Sequence, residues 1–89
     1  MQGYIRLLCS IFGENYEGSF KEVIDSKNQD ELYIRLGDLV YVLNKDDRNI
    51  ISKEFGLGCK EEKQDQDKVR ELIYSLKKES RSLYNYLFK

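Results

Sequence analysis

Apolar side chains return every three to four residues along almost the whole of this chain, and no proline interrupts them. Proline removes a helical hydrogen bond and clashes with the preceding turn, so its absence leaves each such stretch free to coil. Tyr4, Ile5, Leu8, Ile11 and Phe12 lie at helical spacing, with Gln2, Arg6 and Ser10 as a polar stripe and Gly13 where a helix-ending glycine belongs. Tyr16, Phe20, Val23 and Ile24 repeat the pattern in a shorter second helix that tolerates Gly18, followed by a polar connector over residues 26–29. Near the other end, Val69, Leu72, Ile73 and Leu76 make an amphipathic face that Asp65 or Asp67 can cap. A polar interruption over residues 77–81 precedes Leu83, Tyr84 and Leu87, which resume the pattern as a bent continuation or a separate short helix. The expected fold is all-α, a compact bundle of about six short antiparallel helices forming one domain over residues 1–89. Alanine, the best helix former, is absent from the chain and weighs against this reading.

The firmest local signals surround Asn44 and Gly56. Asn44 is a good N-cap, and Asp46 and Asp47 fall in the first turn, where the helix dipole favours carboxylates. Ile50, Ile51 and Phe55 supply a buried face, and Gly56 followed by apolar Leu57 is the pattern of a Schellman stop. Start and stop agree on a helix of about ten residues, followed by a charged loop over residues 58–66.

The segment from Asp30 to Leu43 supports two readings. Leu32, Leu36, Leu39, Val40 and Leu43 form a helical stripe with Glu31, Arg35 and Asp38 opposite. The same residues read as two strands, 32–36 and 39–43, around a Gly37-Asp38 turn, and the Tyr, Ile and Val content favours strand. The polar positions 31, 35 and 38 fit a period of 3.6 and not a period of two, so helix is expected.

With 40% apolar residues the chain can fold, although a domain of this length buries only about 60–65% of its unfolded surface. No apolar run approaches the roughly 20 residues of a membrane helix, and neither membrane binding nor a signal peptide is expected. Two cysteines are too few for a disulfide framework, and a reducing, cytoplasmic setting is expected. Cys9 falls on an apolar helix face; Cys59, beside Lys60 in a glycine-containing loop, is the candidate reactive thiol.

Nothing in the sequence assembles an active site. There is no histidine, the commonest general base and metal ligand. Asp46-Asp47 and Glu61-Glu62 are adjacent pairs, and neighbours on a helix do not converge on one substrate. Cys9 and Cys59 lack further soft ligands for a metal, and Gly56-Leu57-Gly58 lacks the length and the Lys-Ser/Thr of a phosphate loop. The chain is therefore expected to be no enzyme and to carry no cofactor and no metal.

Charge and tyrosine placement point to contacts with other proteins. Residues 68–89 hold six basic and two acidic side chains, a net of +4, against −5 for the remainder and −1 for the whole. An overall negative chain makes nucleic-acid binding unexpected. Asp46, Asp47 and Arg48 on one side, and Lys77, Lys78 and Arg81 on the other, are the candidate partner-binding charges. The plainer reading of Lys77, Lys78 and Arg81 is a solvated face that the dipole favours near a helix end. Of the tyrosines crowding the last helices, Tyr86, with Phe88, lies off the main stripe and is the candidate exposed anchor.

Two stretches resemble the death-fold superfamily of homotypic interaction domains. Tyr4-Ile5-Arg6-Leu7-Leu8-Cys9-Ser10-Ile11 resembles the opening helix of a death-effector domain. Residues 67–78, Asp67 to Lys78, with Leu83-Tyr84-Asn85-Tyr86-Leu87, are similar to the late helices of caspase-recruitment and death-effector domains. The Arg-x-Asp-Leu signature of death-effector domains is missing, its place taken by Lys78-Glu79-Ser80-Arg81. The resemblance implies a six-helix fold and a protein partner, including a homotypic one. The expected function is a regulatory or adaptor-like protein–protein interaction module working through charged helix faces. Two alternatives stand beside it: a small phage- or mobile-element-encoded inhibitor of a bacterial enzyme or transcription factor, and, on the strand reading, an SH3-like module binding nucleic acid or peptide.

Overall fold

A computed structural model describes residues 2–88 and places most of them in six α-helices: α1 (Gln2–Phe12), α2 (Glu17–Ser26), α3 (Gln29–Val40), α4 (Lys45–Phe55), α5 (Gln66–Lys78) and α6 (Arg81–Phe88). No strand occurs among the described residues. α1 is apolar on most of its circumference, and it buries Ile5, Leu7, Leu8, Cys9 and Ile11. A helix of that kind belongs at the centre. It packs against α2, α4 and α5, while α6 closes the bundle against α2 and α3. Leu7, Leu8, Phe20, Leu32, Leu36, Ile51 and Leu76 are wholly removed from solvent, and each such side chain contributes roughly 2 kcal/mol of transfer free energy. All of them belong to one continuous core. The radius of gyration, 12.2 Å, matches the roughly 12 Å expected of a single folded unit of this length.

The contested segment is helical. Asn28 caps α3 by accepting from the Glu31 N–H at 3.0 Å, and Leu32, Leu36, Leu39 and Val40 face inward. The hairpin over 32–36 and 39–43, and the SH3-like reading built on it, are thereby corrected. A pair of strands would send alternate residues to opposite faces, whereas the buried positions here recur every three to four residues. The helix ends earlier than the stripe does. Val42 and Leu43 donate to the carbonyls of Leu39 and Val40, so the chain tightens through a turn before Asn44.

α4 forms as its terminal residues dictate. The Asn44 side chain accepts from the Asp47 N–H at 2.9 Å, and Gly56 adopts a left-handed φ of 65° that costs a glycine nothing. The Gly56 and Leu57 N–H groups both donate to the Ser52 carbonyl, satisfying the helix end. Asp65, not Asp67, is the N-cap of α5, accepting from the Asp67 N–H at 3.0 Å. The loop before it is tied down: Glu62 N–H donates to the Lys53 carbonyl, and the Glu54 carboxylate accepts from the Gln64 N–H and the Gln66 side chain.

Several boundaries differ from expectation. A single 3-10 turn over Glu14–Tyr16 precedes α2, which begins at Glu17 and includes Ser26. The stretch after α5 is a true break, and α6 is a separate helix. Ser80, within the supposed polar interruption, is buried; its hydroxyl donates to the Lys77 carbonyl at 2.8 Å, which is why a polar atom is tolerated there. Gly3 is fixed by contact: a Cβ at that position would lie 2.2 Å from the Phe55 carbonyl oxygen, so α1 and α4 approach as closely as only glycine permits.

Candidate protein-contact surface

The two charged clusters sit at opposite ends of α5. Asp46 and Asp47 occupy the first turn of α4, and Asp47 lies 3.6 Å from the ammonium of Lys68, near the start of α5. Lys77 and Lys78 close α5, nine residues and roughly 13 Å of helix axis beyond Lys68. Arg81 opens α6. The structure therefore does not bring the acidic and basic groups together. Lys77 and Arg81 do meet, on the wall of a cleft of about 340 Å³ that Phe12, Tyr16, Ser80 and Tyr84 complete. Lys78 turns away, its ammonium 4.6 Å from the centre of the Tyr74 ring.

Tyr86 is half-buried rather than an exposed anchor. The Arg35 guanidinium lies 4.1 Å from its ring centre and the Lys27 ammonium 5.0 Å away. Phe88 stacks on Phe20 and Tyr84. These rings lie off the leucine stripe of α6, but α2 and α3 cover that flank, which a single-helix projection does not reveal.

The exposed apolar side chains are elsewhere: Tyr74 stands alone on α5 with 63% of its surface in water, and the others gather at α3. Tyr33, Ile34, Tyr41 and Val42 retain 48%, 64%, 70% and 51% of their accessible surface, all on the outer side of α3 and its closing turn. Placing large apolar groups in water forgoes the free energy their burial would supply, so their concentration on one helix calls for a reason. Arg48, from the first predicted cluster, borders this face. Its guanidinium stacks 4.2 Å from the centre of the Tyr41 ring while Nη1 donates to the Leu43 carbonyl at 3.1 Å. Tyr4 meets Tyr33 edge to face, with centroids 6.2 Å apart. Burial, and then the neighbouring Tyr33, push the Tyr4 phenol up from its ordinary pKa, so it stays a neutral donor.

Two shallow clefts adjoin the face. One, of about 240 Å³, lies among Tyr4, Gly37, Tyr41, Arg48 and Leu57; the other, of about 430 Å³, among Gly3, Tyr33, Gly56 and Gly58 with Tyr4 and Leu57 as the shared wall. The widest depression, about 690 Å³, lies apart from them between α1, α4 and α5. Cys9 lines it, and burial, then Glu17 and Glu14, push that thiol up against the smaller opposing effect of Lys21. A thiol held protonated is a poor nucleophile. Arg6 and Arg70 face Glu14, Glu17 and Glu54 across the same depression without forming a paired acid and base.

The sequence reading missed Tyr33, Ile34, Tyr41 and Val42, although the signal was present. Once residues 29–40 are helical, Ile34 and Tyr41 project opposite Leu32, Leu36 and Leu39, and Tyr33 and Val42 fall on the two flanks. No helix among the described residues is long and apolar enough to cross a membrane. No family model, no curated protein and no solved structure matches the chain.

Proposed function

We propose that the chain is a non-enzymatic protein–protein interaction module, regulatory in role, whose contact surface is the outer side of α3 with charged helix ends at its border. The observation that carries this reading is the exposure of four large apolar side chains on one helix whose inner side is fully packed. Tyrosine and arginine are the side chains that most often anchor protein interfaces, because they bury large area with few rotors and keep a polar tip. Tyr33, Tyr41 and Arg48 supply that chemistry here. Lys77 and Arg81, at the mouth of the aromatic cleft, form a second charged surface suited to an acidic segment of a partner. Six short helices also support the death-fold resemblance as part of this proposal, and the free thiols of Cys9 and Cys59 support a reducing, cytoplasmic setting.

The test compares capture from a lysate of the source cells by the wild-type protein and by the Tyr41→Ser and Lys77→Glu/Lys78→Glu variants. Proteins lost with Tyr41→Ser and retained by a core-neutral control such as Ser75→Ala support the contact face. An identical captured set for all variants refutes it. An inhibitor that caps a bacterial enzyme or transcription factor would use the same face, and the identity of the captured protein separates the two roles.

A further inference from the structure

Resting on that contact-face reading, we infer that the outer side of α3 pairs with the same side of a second copy of this chain, antiparallel, about a twofold axis midway between Ile34 and Gly37. Asp30, Ile34, Gly37 and Tyr41 follow one another at intervals of four, three and four residues, so they form one line along the outer side of α3 and its closing turn, with Gly37 half-buried at the edge of the cleft that Tyr4 and Arg48 line. Gly37 is the unexplained member. A mid-helix glycine weakens a helix relative to alanine, and a Cβ here would meet nothing within 4 Å, so no contact among the described residues calls for it. A second helix crossing at this point does, because bare backbone admits a close approach. Antiparallel pairing about the stated axis lays each Ile34 onto the Gly37 of the other copy.

The same operation matches the ends of the line. Asp30 comes opposite Tyr41, whose ring carries the Arg48 guanidinium at 4.2 Å. Among the described residues neither Asp30 nor Arg48 forms an ion pair, so both are available. A face with an acid at one end, a cation at the other and a gap beside its central apolar residue is self-complementary under a twofold axis and under no translation. Tyr33, Ile34, Tyr41 and Val42 expose on the order of 400 Å², about half of the roughly 800 Å² each partner buries in a standard interface. The pair is accordingly a weak one.

Sedimentation equilibrium of the full chain, from micromolar to near-millimolar concentration, tests this. The expected result is a reversible dimer that Gly37→Glu weakens at least tenfold while keeping or raising the thermal midpoint. Asp30→Arg and Arg48→Asp each weaken it several-fold, and the two changes in one chain restore it. A protein monomeric throughout, or a dimer indifferent to Gly37→Glu, overturns the inference. If the protein is monomeric yet Gly37→Glu abolishes capture of a cellular protein, self-pairing falls and the contact face stands. If it is monomeric and capture is also indifferent to Gly37→Glu, both fall.

Discussion

Between α1, α2 and α6, the rings of Phe12, Tyr16, Phe20, Tyr84 and Phe88 meet one another with centroids 4.8 to 5.9 Å apart, and Phe20 is wholly buried among them. Along α3 and its closing turn, Tyr33 and Tyr41 stand two turns apart with 48% and 70% of their surface in water. Both regions are built from aromatic side chains, yet only the first encloses a ring, Phe20, on every side, its other members being half-buried around it. The difference lies in what faces each helix. α6 covers the first cluster, whereas among the described residues only Tyr4 and Arg48 reach over the edges of the outer side of α3. Aromatic content alone therefore does not separate a core from a contact surface; the packing of the next helix does.

The two regions should respond oppositely to truncation. Phe20→Ala removes the buried ring at the centre of that cluster and should cost about 3–5 kcal/mol, a large share of the roughly 5–10 kcal/mol such a domain possesses, as read by urea unfolding. Loss of less than about 1 kcal/mol would mean the cluster is not packed as described. Gly3→Ala probes the one tight contact beside the open face. Its Cβ meets the Phe55 carbonyl, so a destabilisation of about 1–3 kcal/mol is expected in thermal unfolding, opposite in sign to the effect of filling the open Gly37 site. Asn44→Ala, which removes the cap accepting from Asp47 N–H, should cost about 1 kcal/mol without altering the α3 face. A larger loss would show that the turn holding Tyr41 and Arg48 depends on the cap.

What was legible in the sequence is what local chemistry decides. Asn44, Gly56 and Leu57 mark the ends of α4 because capping needs only residues adjacent in the chain. The apolar period revealed the helices and most of the core. What stayed hidden depends on distant partners: the Gly3–Phe55 approach, the burial of Ser80, and the cations of Lys27 and Arg35 over Tyr86. Residues 32–43 are the instructive case. Of the Tyr, Ile and Val side chains that made this segment resemble strand, Tyr33, Ile34, Tyr41 and Val42 stay outside and only Val40 joins the core. Large apolar residues on a helix's outer side carry strand-like composition for a reason unrelated to strand formation. Of the expected contact residues, Arg48 borders the exposed face and Lys77 with Arg81 lines the aromatic cleft, while Tyr86 lies under cations.

The central claim is that α3 spends one side on the core and keeps the other outside it. Urea unfolding of an Ile34→Ser/Tyr41→Ser double variant tests it most directly, run at sub-micromolar concentration where self-pairing adds nothing to stability. Wild-type and variant free energies should agree within about 0.5 kcal/mol. A loss of about 2 kcal/mol or more, the worth of a buried apolar side chain, would contradict the account, because those residues would then be holding the fold together.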